Sequence, residues 1–338
     1  MTAQDRTSWS LVLPPELRSL IMQLPSRLLN VMEEIRIREG RPLEVSTCGE
    51  YHFITNLGTI TEQPLEAYTP SREDCHRLLD LLTNHSLYTM EEQLRRGYVT
   101  IAGGHRVGLS GRTVLHQGKV SHLRDISGFN VRIAREVKGT AASIMPYLLD
   151  FRAQSVYHTL IVSPPQHGKT TLLRDVARST ASGMWNHPDA RWQSLKVGIV
   201  DERSEIAGCI KGVPSFDLGF RSDVLDGCPK AEGMMMLIRS MSPDVIVVDE
   251  FGREEDVFAM REAIHAGVRV IASAHGSDVE ELRRRPGIGE LLTEGVFSRI
   301  ILLKRTKKEW TWKIYDDKRR ALLMPEMTAG VKGGGGRV

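Results

Sequence analysis

No apolar run in the chain approaches the ~18–20 residues that span a bilayer, so contact with a membrane is expected to be peripheral. The first residues, Met1 to Thr7, lack the charged-then-apolar form of a signal peptide. Cysteine is scarce: Cys48, Cys75, Cys209 and Cys228 are scattered without metal-ligand spacing, which suits a reduced, cytoplasmic setting. Charge of one sign is also lacking. A net charge of +3 makes no general case for nucleic acid, and no aromatic–basic stacking platform is present. There is no internal repeat. What remains is the composition of an ordinary globular protein, 41% apolar and 26% charged, with 338 residues giving room for two domains that each bury a core.

The most informative stretch is residues 158–176. An apolar run leads into Ser163-Pro164-Pro165-Gln166-His167-Gly168-Lys169-Thr170-Thr171, and an amphipathic helical pattern follows. This is the layout of a phosphate-binding loop, in which backbone N–H groups and a helix N-terminus surround a phosphate. In that layout Lys169 reaches the β- and γ-phosphates, and the Thr170 hydroxyl ligates Mg²⁺. The strict motif has Gly where this chain has Ser163. A bare Gly-Lys-Thr is also an ordinary helix start, so the reading needs a second motif.

About 80 residues on, Pro243 to Glu250 form an unbroken apolar run ending in Asp249 and Glu250. A parallel strand covered on both faces reads this way, and ligands sit at its C-terminal end. Asp249 is then expected to hold Mg²⁺ and Glu250 to polarise the attacking water. Alone, two acids after an apolar run are commonplace solvated strand ends; with the phosphate loop they make an ATP site.

Residues 1–140 read as an α+β domain. Helices are expected around Pro25, a strand over 34–38 and a helix over 71–83 capped by Ser71. A short helix is expected near Glu91 to Leu94, then a hairpin over 98–109 turning at Gly103-Gly104, and strands near 119–124 and 130–133. Residues 141–325 read as a P-loop ATPase domain. A helix over 141–151 precedes strands near 158–162, 196–200, 244–248, 268–273 and 299–303. Helices near 169–181, 231–241, 254–266 and 278–284 alternate with these strands. Met234-Met235-Met236 is expected to pack in the core. Residues 326–338, with four consecutive glycines, read as a flexible tail.

Several long stretches resemble the stage III sporulation protein AA ATPases of endospore-forming bacteria. They are Glu33 to Arg38, Gly97 to Gly111, Asn130 to Gly139, Val197 to Gly208 and Asp223 to Glu250. The family's loop reads Gly-Pro-Pro-Gly-x-Gly-Lys-Thr-Thr, and this chain departs from it at Ser163 and Gln166-His167. The family is similar to the ATPases of type II and type IV secretion. The resemblance therefore implies an α/β fold with a RecA-like core and ATP hydrolysis with Mg²⁺. It also implies a homo-hexamer, cytoplasmic and peripheral to the forespore membrane on its mother-cell side, contacting a membrane-embedded sporulation channel complex. It assigns Asp201 to Glu205 as an acidic box containing Glu202, His275 as a γ-phosphate-sensing histidine, and Arg253 as the arginine after the catalytic acid.

A ring is also expected because such cores take a neighbour's arginine to the phosphate, with Arg203, Arg221 and Arg253 as candidates. Each of these side chains has a plainer reading as a local salt-bridge partner. The competing function is a nucleic-acid motor on the same core, supported by Arg95, Arg96, His105, Arg106 and Arg112 around the hairpin and opposed by the near-neutral charge. A third possibility is a scaffold that binds nucleotide without turnover, which Glu250 beside Asp249 argues against.

Overall fold

The computed structural model describes residues 5–47, 50–83, 94–95, 97–165, 167–305, 310–318 and 320–323. The chain divides into two compact units, Met1–Arg135 and Glu136–Val338. Gln166, Cys48, Arg96, all but Leu94 of the short helix expected near Glu91 to Leu94, and the tail over 326–338 lie outside the described residues.

In the first unit α1 (Pro15–Met22) and α2 (Ser26–Leu29) each begin at a proline-led turn, and β1 (Met32–Arg38) follows. Then come β2 (Glu44–Thr47), β3 (Glu50–Ile54), β4 (Ile60–Thr61) and α3 (Arg72–Thr83). Ser71 caps α3 reciprocally: its hydroxyl accepts from Asp74 N at 3.1 Å and its N–H donates to the Asp74 carboxylate at 2.8 Å. β5 (Tyr98–Ile101) turns at Gly103 and Gly104, both at positive φ, into β6 (His105–His116), and β7 (Lys119–Arg132) returns. The sheet order is β4-β3-β2-β1-β7-β6-β5. The two short strands expected over 119–133 are one strand, whose register with β6 shifts at Ser110/Arg112 and Val114/Leu115. Polar residues and these irregularities interrupt the alternation that marks a strand in sequence.

The second unit opens with a single turn, α4 (Met145–Leu148), instead of a helix over 141–151. Leu149 and Asp150 leave it to pair as β8 (Leu149–Asp150) with β9 (Ser155–Val156). The main elements follow: β10 (Thr159–Ser163), α5 (Lys169–Ser182), β11 (Val197–Asp201), β12 (Ser222–Asp226), α6 (Lys230–Ser240) and β13 (Val245–Val248). After these come α7 (Glu254–His265), β14 (Arg269–His275), α8 (Val279–Arg283), α9 (Ile288–Thr293) and β15 (Arg299–Arg305). β16 (Trp310–Asp316) and β17 (Ala321–Leu323) close the chain's sheet. Its order is β12-β11-β13-β14-β10-β15-β16-β17, parallel from β12 to β15 and antiparallel beyond.

Alternate residues of the central strands enter two separate cores. Ile161, Val197, Ile199, Val245, Val247 and Ile271 pack with α5 on one face. Leu160, Val162, Val200, Ile246, Val248 and Val270 pack with α6 to α9 on the other. Both faces are covered, which is why these strands read as continuous apolar runs; each such side chain contributes about 1.5–3 kcal/mol when fully buried. Of the methionine triplet only Met234 is buried, while Met236 is 47% exposed. Three consecutive residues on a 3.6-residue turn cannot share one face.

Candidate functional site

The C-terminal ends of β10, β11, β13 and β14 bring their following loops together. At the first of these ends, Ser163 is fully buried and its hydroxyl donates to the Pro164 carbonyl at 2.8 Å. It is not among the residues at positive φ, so serine enters the loop without strain at this position. Pro164 and Pro165 have no N–H to offer a ligand and only set the course of the loop. Gly168 has φ +89° and heads α5 with no side chain capping it. A Cβ there would come within 2.6 Å of the Trp310 ring, so glycine is required both by its dihedral and by the indole lying over it. The first-turn N–H groups of α5, through Lys169, Thr170 and Thr171, have no partner inside the helix, and they make its head a natural anion site.

Lys169 is buried, 5% exposed, and not the exposed cation that a phosphate loop suggests from sequence. Its Nζ lies 3.1 Å from Asp249 Oδ1, an ion pair without hydrogen-bond alignment, so its buried donors are unspent among the described residues. Thr170 Oγ1 donates to Asp249 Oδ2 at 3.1 Å, and Ser273 Oγ donates to Asp249 Oδ1. Burial alone pushes the Asp249 carboxyl up, but Lys169 and the Ser273 and Thr170 hydroxyls outweigh it and hold the group below the usual range. A charged carboxylate beside a hydroxyl is the donor set of a hard divalent cation. The unspent ammonium and the open helix head fit a phosphate. The residues present therefore suit a magnesium nucleotide.

Glu250 follows in a left-handed conformation, φ +50°. Its carboxylate is gripped on both oxygens: Arg203 Nη1 lies 2.6 Å from Oε2 and His275 Nε2 lies 3.0 Å from Oε1. Its N–H donates to Asp249 Oδ1 at 2.8 Å. Glu202 pairs with the buried Lys230 at 2.5 Å and with Arg253 at 3.7 Å. Burial raises the Glu202 carboxyl, and Lys230 with both arginines overcomes that and lowers it.

The loop carrying Glu202 and Arg203 is anchored from beneath. Asp201 accepts from the N–H groups of Glu205, Ile206 and Ala207 at 2.8–2.9 Å. Burial, with Asp226 and Asp249 nearby, pushes its carboxyl up to about 6 against those bonds. Arg174, on α5, donates to the carbonyls of Glu205 and Ile206 at 2.6 Å and stacks on Phe216. Burial brings its guanidinium down to about 10.

Of the residues singled out from sequence, Lys169, Thr170, Asp249, Glu250, His275, Glu202 and Arg253 converge here, with Thr171 in the same helix turn and His167 in the loop. Arg221 does not converge: it precedes β12, at the opposite end of the parallel strands from the site, and donates to the Ser194 carbonyl. Four participants escaped sequence reasoning: Ser273, Lys230, Arg174 and Trp310. Only Ser273 left a trace, as a hydroxyl inside the otherwise apolar Val270 to Ala274 run. An open groove lined by Leu11, Leu13, Pro15, Met22 and Leu81 lies in the first unit and carries no comparable set of ionisable groups.

Known proteins resemble this chain in sequence and in fold. The family profile for Sporulation stage III, protein AA matches residues 5–322. Stage III sporulation protein AA of Bacillus subtilis (strain 168) is 47% identical over 322 residues, covering 95% of this chain and 97% of that protein. Among solved structures, the Legionella pneumophila ATPase DotB aligns with a TM-score of 0.56 at 16% identity, over 85% of this chain and 77% of that one. The pilus retraction motor PilT with bound ADP aligns with a TM-score of 0.53 at 15% identity, over 86% of this chain and 80% of that one. At such identities the likeness concerns the fold, which is the RecA-like P-loop fold of the secretion ATPases. With a profile spanning nearly the whole chain and a relative close to half identical, the chain belongs to the stage III sporulation protein AA family.

Proposed function

We propose that the protein is a motor ATPase of the secretion type, hydrolysing ATP with Mg²⁺ and coupling turnover to a membrane-embedded sporulation channel complex. The observation that carries this reading is the buried Lys169 ammonium with unspent donors at the head of α5, beside Thr170 and Asp249. In this reading Lys169 and the N–H groups from Gly168 to Thr171 hold the phosphates, and Thr170 and Asp249 hold Mg²⁺. When bound, the ion neutralises charge on the transferred phosphoryl group. Glu250 takes the proton of the attacking water, His275 sits on the same carboxylate to report the terminal phosphate, and Glu202 with Arg253 sets the charge around them.

The fold shared with DotB and PilT supports a ring, which we take as a homo-hexamer working from the cytoplasm. Among the described residues no helix is long and apolar enough to cross a membrane; in this reading the attachment is peripheral, on the mother-cell side. Nucleic acid has no part in this scheme.

The test is ATP hydrolysis by the purified protein with and without DNA or RNA. Lys169→Ala is expected to abolish turnover, and Glu250→Gln is expected to keep nucleotide bound without hydrolysing it. Because Lys169→Ala also takes the countercharge from partly buried Asp249, circular dichroism of both variants must accompany the rates. Turnover by Lys169→Ala at the parental rate would remove the site assignment. Dependence on DNA or RNA would favour a nucleic-acid motor.

A further inference from the structure

Glu250 carries the feature that the hydrolysis scheme leaves unexplained. A general base must hold the attacking water on one of its lone pairs, and each Glu250 oxygen is already engaged once, one by Arg203 at 2.6 Å and the other by His275 at 3.0 Å, so water has to share the carboxylate with a guanidinium. The arginine is the stronger of the two holds, a charged pair with the acid only 22% exposed. The backbone that presents Arg203 is fixed by Asp201 from one side and by Arg174 from the other, whereas the Arg203 side chain is 48% exposed. Its neighbour Glu202 forms its ion pairs with Lys230 and Arg253 and interacts with the Arg203 guanidinium only through longer-range charge. Arg203 thus sits beside an anchored loop segment with a half-exposed guanidinium, one carboxylate away from the Asp249–Lys169 pair.

We propose that Arg203 is a clasp acting within its own subunit: it caps Glu250 until a γ-phosphate draws the guanidinium away, and so frees the base only when a nucleoside triphosphate is present. This rests on the ATPase reading above and assigns Arg203 a role in cis, not the trans role expected from sequence. The chemistry favours the exchange. A guanidinium fork matches phosphate oxygens as well as it matches a carboxylate, and a terminal phosphate carries more charge than Glu250. A diphosphate offers no γ-oxygens and leaves the clasp closed. Arg203 is accordingly a positioning residue for Glu250 and a discriminator between ATP and ADP. No covalent step is added to hydrolysis.

The clasp imposes a cost on triphosphate binding alone, because the Arg203–Glu250 pair must break for ATP and not for ADP. The experiment is a titration of full-length protein with fluorescent ADP and a non-hydrolysable fluorescent ATP analogue. It compares wild type, Glu250→Gln, Arg203→Ala, Arg203→Lys and the Arg203→Ala/Glu250→Gln double variant. Glu250→Gln neutralises the clasp's anchor and is expected to tighten the ATP analogue by about tenfold, the scale of a partly buried charge pair, while ADP is unchanged. Arg203→Ala is expected to narrow the preference for the ATP analogue over ADP to what Lys169 contributes at the γ-phosphate. In that background Glu250→Gln should then have no further effect.

Arg203→Lys keeps the charge without the fork and is expected to restore part of the preference for the triphosphate, which separates a lost clasp from a damaged fold. Equal shifts for both nucleotides, or additive effects of the two substitutions, would overturn the clasp. If wild type binds neither nucleotide, or Lys169→Ala binds both as wild type does, the underlying ATPase reading fails instead, and the two failures are distinct.

Discussion

Glu250 occupies a left-handed backbone conformation, φ +50°, which costs a side-chain-bearing residue about 1–2 kcal/mol. Glycine pays no such cost, although elsewhere it is worse than alanine by about 0.5–1 kcal/mol through its greater unfolded freedom. Glu250→Gly and Glu250→Ala lose the same contacts to Arg203 and His275, so those losses cancel between them. The difference spans about 0–1.5 kcal/mol and leaves glycine ahead by about 0.75 kcal/mol at mid-range, the reverse of the usual order. For a domain of this size that is about 1–4 °C in melting temperature. The assay is thermal or urea unfolding of both variants, with Glu232→Gly and Glu232→Ala in α6 as the control pair, where alanine should win. If Glu250→Ala proves as stable as Glu250→Gly, the strain is not there. If the inversion appears, the acid is kept at a position where glycine would be more stable, which fits a residue retained for its chemistry.

Three further outcomes follow from the geometry. Ser163→Gly, which restores the usual loop residue, should lower stability by about 1 kcal/mol and leave ATP affinity unchanged, since Ser163 is buried, bonded to Pro164 and unstrained; a gain in affinity in nucleotide titrations would contradict this. Gly168→Ala should weaken nucleotide binding, and Trp310→Ala in the same chain should recover only part of the loss, because it relieves the clash and not the +89° dihedral; full recovery would mean the dihedral is inconsequential. His105 is buried, with Nδ1 accepting from Ala134 N at 3.0 Å and Nε2 next to Ser8, and burial lowers it from 6.5 to about 4. A base depressed in the folded state adds stability above 6.5 and loses it as pH falls toward 4, an amount on the order of 3 kcal/mol. Hydrogen exchange of β5 to β7, compared between wild type and His105→Gln, should show wild type losing more protection across that window, and parallel profiles would refute it.

How much of this was legible in the sequence depended on burial. β10, β11, β13, β14 and β15 are covered on both faces, so their apolar runs announced them and placed Lys169, Asp249, Glu250 and His275 at the strand ends. β12, reading Ser-Asp-Val-Leu-Asp, is an edge strand with acids and carries no such signal. The expected helix over 141–151 failed because its propensity was outweighed by the pairing of Leu149 and Asp150 with β9. Within the site, the placement of motif residues was readable, and pairings across the fold were not. That Arg203 meets Glu250, Lys230 meets Glu202 and Ser273 meets Asp249 depends on which loops the sheet order β11-β13-β14-β10 makes neighbours. That order arises from crossovers, which local sequence does not encode.

The pairing of β10 with β14 has a consequence for how this chain can change over evolutionary time. The two strands run in register from Thr159 opposite Ile271 to Ser163 opposite His275, and Gly276 N–H continues the ladder to the Ser163 carbonyl at 3.2 Å. Gaining or losing one residue in either strand would slide the ladder by about 3.3 Å and turn the following side chains to the opposite face. His275 would then point away from Glu250. Letters in these strands can drift, as the serine at the loop entry illustrates, but their residue count cannot. The β10–β14 register thus constrains the number of residues between Thr159 and Ser163 and between Ile271 and His275 more tightly than it constrains the side chain at Ser163.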